Sequence, residues 1–274
     1  MRALGRLAAL AAAVVLVAAM LAPVVWMIVA SLRPDAGVFA PSAETVAAPL
    51  SLEHYRALFG ERGFLRPVAN SLIVAAATTA VTLPIAVLCA YAIARLRFPG
   101  RSALLAVVLA VSMFPQISIV PPLYLALRTL HLIDTFPGLV IPYVTFAAPL
   151  AIWLLTGFFR QLPADLEEAA MIDGATRLRA LRDVVLPMAA PGVATAAILT
   201  FLYAWNEFLF ALSFTLGPEH HTVPVALTLF RGRYQVPWGQ VLAATVVATI
   251  PVALLVLGFQ RRIIAGLTAG ATKG

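Results

Sequence analysis

The sequence predicts an all-α, polytopic membrane helix bundle with six transmembrane helices and both termini on the cytoplasmic side. Three observations carry this reading. Hydrophobic residues make up 62% of the 274 and charged residues only 11%, where soluble domains run near a quarter charged. The charges fall in clusters separated by six uncharged stretches, 7–32, 67–94, 102–127, 135–159, 184–206 and 234–260. The basic residues between those stretches are shared unequally between two sides.

Each stretch exceeds the roughly 20 residues a helix needs to cross the hydrocarbon layer. Inside lipid only helices and closed barrels satisfy every backbone polar group. Continuous runs rich in Ala and Leu fit helices, not the alternating pattern of barrel strands. The first stretch follows Arg2 and Arg6 as a signal peptide's core would, but its apolar run continues through "LAPVVWMIVASL". That is too long for a cleaved leader and predicts a retained helix. Pro84, Pro115, Pro121, Pro122, Pro142 and Pro149 lie within the stretches, where a bundle tolerates them as kinks. The run "MFPQISIVPP" marks the third span as the most distorted, by irregular packing or as a hinge or pathway lining.

Orientation follows from the basic residues. With an inside N-terminus, the inner side carries Arg2, Arg6, Arg95, Arg97, Arg101, Arg160, Arg177, Arg179, Arg182, Arg261, Arg262 and Lys273. The outer side carries Arg33, Arg56, Arg62, Arg66, Arg128, Arg231 and Arg233. The bias of 12 to 7 obeys the positive-inside rule. It also accounts for the net charge of +7 without nucleic acid as a partner. The loops are then 33–66 outside, 95–101 inside, 128–134 outside, 160–183 inside and 216–240 outside. The last contains "GPEHHTVP" and "FRGRYQVPWG". Three regions follow: a first helix with its outer loop at 1–66, a transmembrane core at 67–260, and an inner tail at 261–274. No internal repeat is evident.

Several chemistries are disfavoured. Cys89 is the only cysteine. Of His54, His131, His220 and His221 only the last two adjoin, with no acid or thiol at ligand spacing, so they read as a solvated loop pair and not a metal site. No catalytic cluster is present. The only lysine, Lys273, follows no phosphate-binding glycine loop. The chain is therefore not expected to be an enzyme. Were ATP used, a separate chain would bind it with its Mg. An ion-coupled transporter would hold ionisable groups at midplane, and a channel would show a filter-like sequence; neither is apparent.

The inner loop, "RQLPADLEEAAMIDGATRLRALRDVVLP" at 160–187, carries the best signal. Asp165 and Glu168 have capping-box spacing for a short helix. Gly174 suits its C-terminus. A second short helix would present Leu178, Leu181 and Val185 as an apolar stripe flanked by Arg177, Arg179 and Arg182, before Pro187 opens the fifth span. Such a pair of helices either rests on lipid headgroups or forms a docking surface for a partner.

The run Glu168-Ala169-Ala170, three residues, Gly174, nine residues, then Val184-Val185-Leu186-Pro187 resembles the EAA loop of ABC importer permeases. Their pattern ends in I-x-L-P; Val184 stands in place of the usual isoleucine. "NSL" at 70–72, "YAIARLRFPG" at 91–100, "DTFPGLVIPY" at 134–143, "WNEF" at 205–208 and the tail at 259–274 are similar to the carbohydrate-uptake, MalG-like group, and nearest to SugB-type trehalose permeases.

This resemblance implies the type I importer permease (MetI-like) fold over roughly 67–260, with one extra helix in front. It implies a bacterial plasma (inner) membrane location and a sugar substrate, a di- or oligosaccharide such as trehalose or maltose. Glu168, Ala169, Ala170, Asp173, Gly174, Leu186 and Pro187 would couple the chain to two copies of a cytoplasmic ATPase. A second homologous permease and an extracytoplasmic sugar-binding protein or lipoprotein would complete the machine, surrounded by membrane lipid. The loop at 216–240 would reach toward the binding protein. An amino-acid or peptide importer permease and a non-transporting structural subunit remain as alternatives.

Candidate pathway residues lie in the third and fifth spans: Gln116 and Tyr124, then Tyr203, Trp205, Asn206 and Glu207. Rings stack on sugars and amides bond their hydroxyls. Glu207 is the only acid between 184 and 218. Counted from Pro187 at 1.5 Å per residue, it lies about 30 Å along the span, near the outer interface. An interfacial anchor, a hydrogen-bonding node between helices and a sugar contact are its three candidate roles.

Overall fold

A computed structural model describes residues 2–34, 49–230 and 236–271. The described residues form helices throughout: α1 (Arg2–Ser31), α2 (Glu53–Gly60), α3 (Leu65–Arg95), α4 (Arg101–Ser112), α5 (Gln116–Thr129), α6 (Phe136–Gln161), α7 (Asp165–Ile172), α8 (Arg177–Met188), α9 (Ala190–Asn206), α10 (Leu209–Phe214), α11 (Val223–Thr228) and α12 (Trp238–Ala271). Four are long and apolar enough to cross a membrane unbroken: Ala9–Ser31, α3, α6 and Trp238–Gln260. The other two expected spans are bent pairs. α4 and α5 meet at 88°, and α8 and α9 at 82°. Each pair taken as one span gives six.

The third uncharged stretch is thus not one helix. Its break falls at Met113–Pro115, inside the segment marked as distorted, because Pro115 takes an extended conformation and has no N–H with which to continue the ladder. Pro84, Pro121, Pro122, Pro142 and Pro149 lie inside helices. Pro187 does not open the long helix of the fifth span: the chain turns at Ala189, and α9 starts at Ala190 with Pro191 in its first turn.

Contacts divide the chain into two units. The first comprises residues 1–65 and 226–251. Here segment 33–66, expected as an outer loop, contains α2, with Leu58 and Phe64 buried. Ser31 and Tyr55 share a hydrogen bond of 2.7 Å, His54 donates to the Arg33 carbonyl at 2.8 Å, and the Arg62 guanidinium lies 5.1 Å from the Phe230 ring centre. These partners are far enough apart in sequence that no local pattern announces them. Residues 35–48 lie outside the described residues.

The second unit comprises 66–225 and 252–274. Its centre is α6, which buries residues along its whole length and packs against α4, α9 and α10. Two apolar clusters line it. One joins Ala90 and Tyr91 of α3, Leu155 and Phe159 of α6, and Leu181 and Val185 of α8. The other joins Val74 of α3, Leu139 and Tyr143 of α6, and Phe210 and Phe214 of α10. Remaining apolar side chains such as Ile73, Val81, Ile85 and Leu88 face outward, as in a chain whose solvent is lipid. Several hydroxyls within the helices bond back to their own turn, Thr79 to Ala75, Thr156 to Ile152 and Thr195 to Pro191, which removes the cost of an unpaired polar group at those positions. Close approach of α6 and α9 depends on Gly192, where a Cβ would run into the Phe158 ring.

Candidate functional site

The loop after α6 folds as two short helices at a sharp turn. α7 starts at Asp165, so this residue stands inside the helix and Ala164 takes the cap position without a side-chain bond. The expected Asp165–Glu168 capping box therefore does not form: the Glu167 and Glu168 amides already bond the Ala164 carbonyl, and Asp165 acts only as an acid in a first turn. The C-terminus matches expectation. Gly174 has φ +89°, the Gly174 amide donates to Met171 O and the Ala175 amide to Ala170 O, a Schellman closure that favours glycine. Thr176 then accepts from the Arg179 amide at 3.3 Å and starts α8.

α8 contains one π-helical turn, Leu181–Val185, and Pro187 lies near its end. Leu181 and Val185 are buried, but Leu178 is 66% exposed. The stripe is therefore shorter than its spacing suggested, because Leu178 sits in the first turn beyond the reach of the core. Leu186 is half-buried against the inner cluster.

The two adjacent glutamates of α7 face opposite ways. Glu168 and Ala169 are exposed with Ile172, Asp173 and Gly174, and Ala170 is half-exposed. Glu167, which the motif did not single out, is buried. It accepts a hydrogen bond from the Tyr91 hydroxyl and pairs with Arg95 at 3.3 Å, with the two side chains 11% and 6% exposed. Arg95 also donates to the Leu162 carbonyl at 2.9 Å. Only the neighbouring segment "YAIARLRFPG" hinted at this, since it supplies Tyr91 and Arg95. Beside the pair opens a polar cleft of about 730 Å³ lined by Arg95, Arg97, Arg101, Glu167, Glu168 and Arg177.

At the other end of α3 the chain from 214 to 223 is pinned. Asn70 donates to the carbonyls of Glu219 and His221 at 2.8 and 3.0 Å, and Ser71 accepts from the Val223 amide at 2.8 Å. Asp134 accepts from the amides of Leu216 and Gly217, at 3.0 and 3.4 Å. Burial raises the Asp134 pKa, but those amides and the nearby His220 outweigh it, and the net shift is downward. His220 stands 3.3 Å from Asp134 and edge-on to Phe136. The two histidines are half-buried, not a solvated pair, because Asp134 and Phe136 lie more than eighty residues earlier in the chain. Thr135 caps α6 by accepting from the Gly138 amide at 3.2 Å. Residues 231–235, half of the "FRGRYQVPWG" segment, lie outside the described residues.

Between these ends the candidate pathway residues separate into two groups. Gln116 donates to the Tyr203 hydroxyl at 2.9 Å, and the Tyr203 and Tyr143 rings meet edge-on at 6.5 Å. Glu207 lies where α9 ends, 7% exposed, and accepts from the amides of Phe210 and Ala211 at 2.9 and 3.2 Å. Its carboxylate thus caps α10 while the Tyr143 phenol faces it. An anchor reaching for the interface would be turned outward; this side chain is turned in. Trp205 is buried and stacks on Phe201, Tyr124 packs against Phe214, and exposed Asn206 bonds its own helix at Leu202. These three do not join the Gln116–Tyr203 pair. An apolar cavity of about 370 Å³ opens at the α4–α5 bend, lined by residues including Phe114, Ile119, Leu123 and Phe146.

The chain resembles known proteins in sequence and in fold. The sequence is 45% identical over 256 residues to the trehalose transport system permease protein SugB of Mycobacterium tuberculosis, covering 93% of each chain. It is 43% identical over 255 residues to the trehalose/maltose transport system permease protein MalG of Thermococcus litoralis, covering 92% of this chain and 91% of that one. The fold superposes with TM-score 0.78 and 23% identity on a chain of a bacterial ABC transporter involved in import of the acidic polysaccharide alginate, covering 95% and 96%. Residues 82–268 match the family described as binding-protein-dependent transport system inner membrane component. With that match over most of its length, the chain belongs to this family, as a multi-pass permease and not an ATPase.

Proposed function

We infer that this chain forms half of the translocation pathway of an ATP-driven sugar importer, for a di- or oligosaccharide of the trehalose or maltose kind. The observation that carries the reading is the outward face of α7. Glu168, Ala169, Asp173 and Gly174 stand exposed on a short helix whose own bonds are closed and whose base is buried. Small side chains let a partner approach closely, and the acids offer pairing across an interface. Two copies of an ATPase, binding ATP and Mg, would seat this face, with Leu186 and Pro187 carrying motion into α9. The sugar assignment rests on the names of the relatives.

The remaining parts follow. A second homologous permease completes the pathway, and an extracytoplasmic binding protein delivers substrate near the pinned loop after α10. Both termini lie on the cytoplasmic side of a bacterial inner membrane, a placement the basic-residue bias supports. The regions 1–66, 67–260 and 261–274 serve as leading helix, transport core and tail. Gln116 and Tyr203, joined on facing helices, are the best placed to meet a sugar hydroxyl; Glu207 shapes that region from its cap, and Tyr124, Trp205 and Asn206 border it.

The test is ATP hydrolysis by the reconstituted complex with its binding protein and a panel of solutes. Stimulation by trehalose or maltose is expected, and stimulation by amino acids or peptides alone would overturn the sugar assignment. For the docking face, Glu168→Ala and Gly174→Val should each reduce co-purification of the ATPase and uptake; normal values of both would remove α7 from that role.

A further inference from the structure

The motif's own glutamate, Glu168, points away from the protein, while its neighbour Glu167 is buried in a corner where three segments meet. Consecutive residues on a helix are about 100° apart, so α7 can face a partner with one acid and its own bundle with the next. The inward acid takes the Tyr91 hydroxyl on one oxygen and Arg95 on the other. Both belong to the end of α3. Arg95 reaches on to the Leu162 carbonyl just past α6, and the Tyr91 ring meets Phe159 of α6 edge-on at 6.5 Å. Beyond the Gly174 turn, Leu181 and Val185 of α8 enter the same apolar cluster as Tyr91 and Phe159. α7 is thus tied to one core by Glu167 and by the helix that follows it.

We propose that Glu167 is a positioning residue that fastens α7 to the ends of α3 and α6, so that α7 and these two helices move as one body during transport. The proposal rests on reading α7 as the ATPase-facing helix. A loop free to swivel would absorb a push on Glu168 and Ile172 without moving a span. Swivelling here would separate a carboxylate from a guanidinium, both almost fully buried, and breaking a buried pair is strongly unfavourable. The contact therefore persists through the cycle, and displacement of α7 becomes displacement of α3 and α6. Glu168 serves attachment of the ATPase; Glu167 serves delivery of its stroke.

The experiment uses the complete complex in proteoliposomes and reads ATPase co-purification, ATP hydrolysis and sugar uptake. Glu167→Gln keeps an acceptor for Tyr91 and loses the charge facing Arg95. It should leave the ATPase bound and hydrolysing, and lower uptake per ATP by roughly 2- to 30-fold, the usual span of coupling effects. The exchange Arg95→Glu with Glu167→Arg should recover part of that ratio. If Glu167→Gln fails to assemble, Tyr91→Phe, which removes one hydroxyl, gives the same reading in milder form. A wild-type ratio in the variants that assemble overturns the proposal.

A cross-link tests persistence directly. With Cys89→Ser as background, Tyr91→Cys and Glu167→Cys are joined by a short bifunctional thiol reagent. Uptake per ATP above that of the unlinked double variant is expected; arrest on linking, absent from the single-cysteine controls, overturns it. Failure of the docking reading looks different. There Glu168→Ala and Gly174→Val retain the ATPase normally, whether or not Glu167→Gln uncouples it.

Discussion

The side-chain amide of Asn70 donates to the main-chain carbonyl of His221 at 3.0 Å, across 151 residues of sequence. The same nitrogen serves Glu219 O, and neighbouring Ser71 serves the Val223 amide. Two consecutive polar residues near the start of α3 thereby fix a loop that has little core of its own.

Asn70→Ala should cost about 1–3 kcal/mol, because it strands two carbonyls that the amide now satisfies. Asn70→Asp should be worse, since it sets a carboxylate against those same oxygens. Thermal unfolding of the purified chain gives the size of the effect, and protease cleavage within 216–223 gives its location.

The Asp134 clamp should be lost in acid. Its folded pKa lies below the unfolded value, so its contribution is present above the unfolded pKa and disappears as pH falls through the folded one. Protease resistance of the 214–223 segment should be level from neutral pH to about pH 5 and should decline as pH drops below about 4, where an unperturbed Asp titrates. Asp134→Asn should lower resistance at neutral pH and flatten the decline.

Glu207→Ala should destabilise the chain by about 1–2 kcal/mol, as loss of a strong helix cap does, since the Phe210 and Ala211 amides are buried. Glu207→Gln should cost less, because its one carbonyl oxygen still accepts. Melting temperatures of the two variants in one detergent decide the order; equal losses would mean that charge matters and capping does not.

Gly192→Leu should cost about 1–3 kcal/mol through overpacking, as its side chain would enter the Phe158 ring. Phe158→Ala in the same chain should recover part of the loss, and a double-mutant cycle on thermal stability measures the coupling.

Span number and the helix–turn–helix form of the 160–187 loop could be read from sequence because each depends on local facts. A long uncharged run is helical in lipid wherever it occurs, and Gly174 terminates α7 by its own backbone. The bends were only half legible. Proline announced the one at Met113–Pro115; at the other, Pro191 marks the first turn of α9 but does not tell that the chain bends through 82° at Ala189. Glu167 was missed for a similar reason. Adjacent acids on a short helix are equivalent until Tyr91 and Arg95 choose between them, and those partners lie more than seventy residues earlier. His220 was misread because Asp134, which decides its environment, is remote in sequence. Leu178 shows the converse: correct spacing, with no core within reach.

The two ends of α3 also differ in when they can be finished. Glu167 follows Tyr91 by 76 residues, whereas His221 follows Asn70 by 151. At translation rates of about 5–20 residues per second, Asn70 waits roughly 8–30 s for its partner to be synthesised, and Tyr91 waits about half as long. The Glu167 corner can therefore close while the segment that completes the Asn70 clamp is still unmade. Until that segment arrives, Asn70 and Ser71 stand without the loop groups they serve, so the start of α3 is the end of that helix completed last.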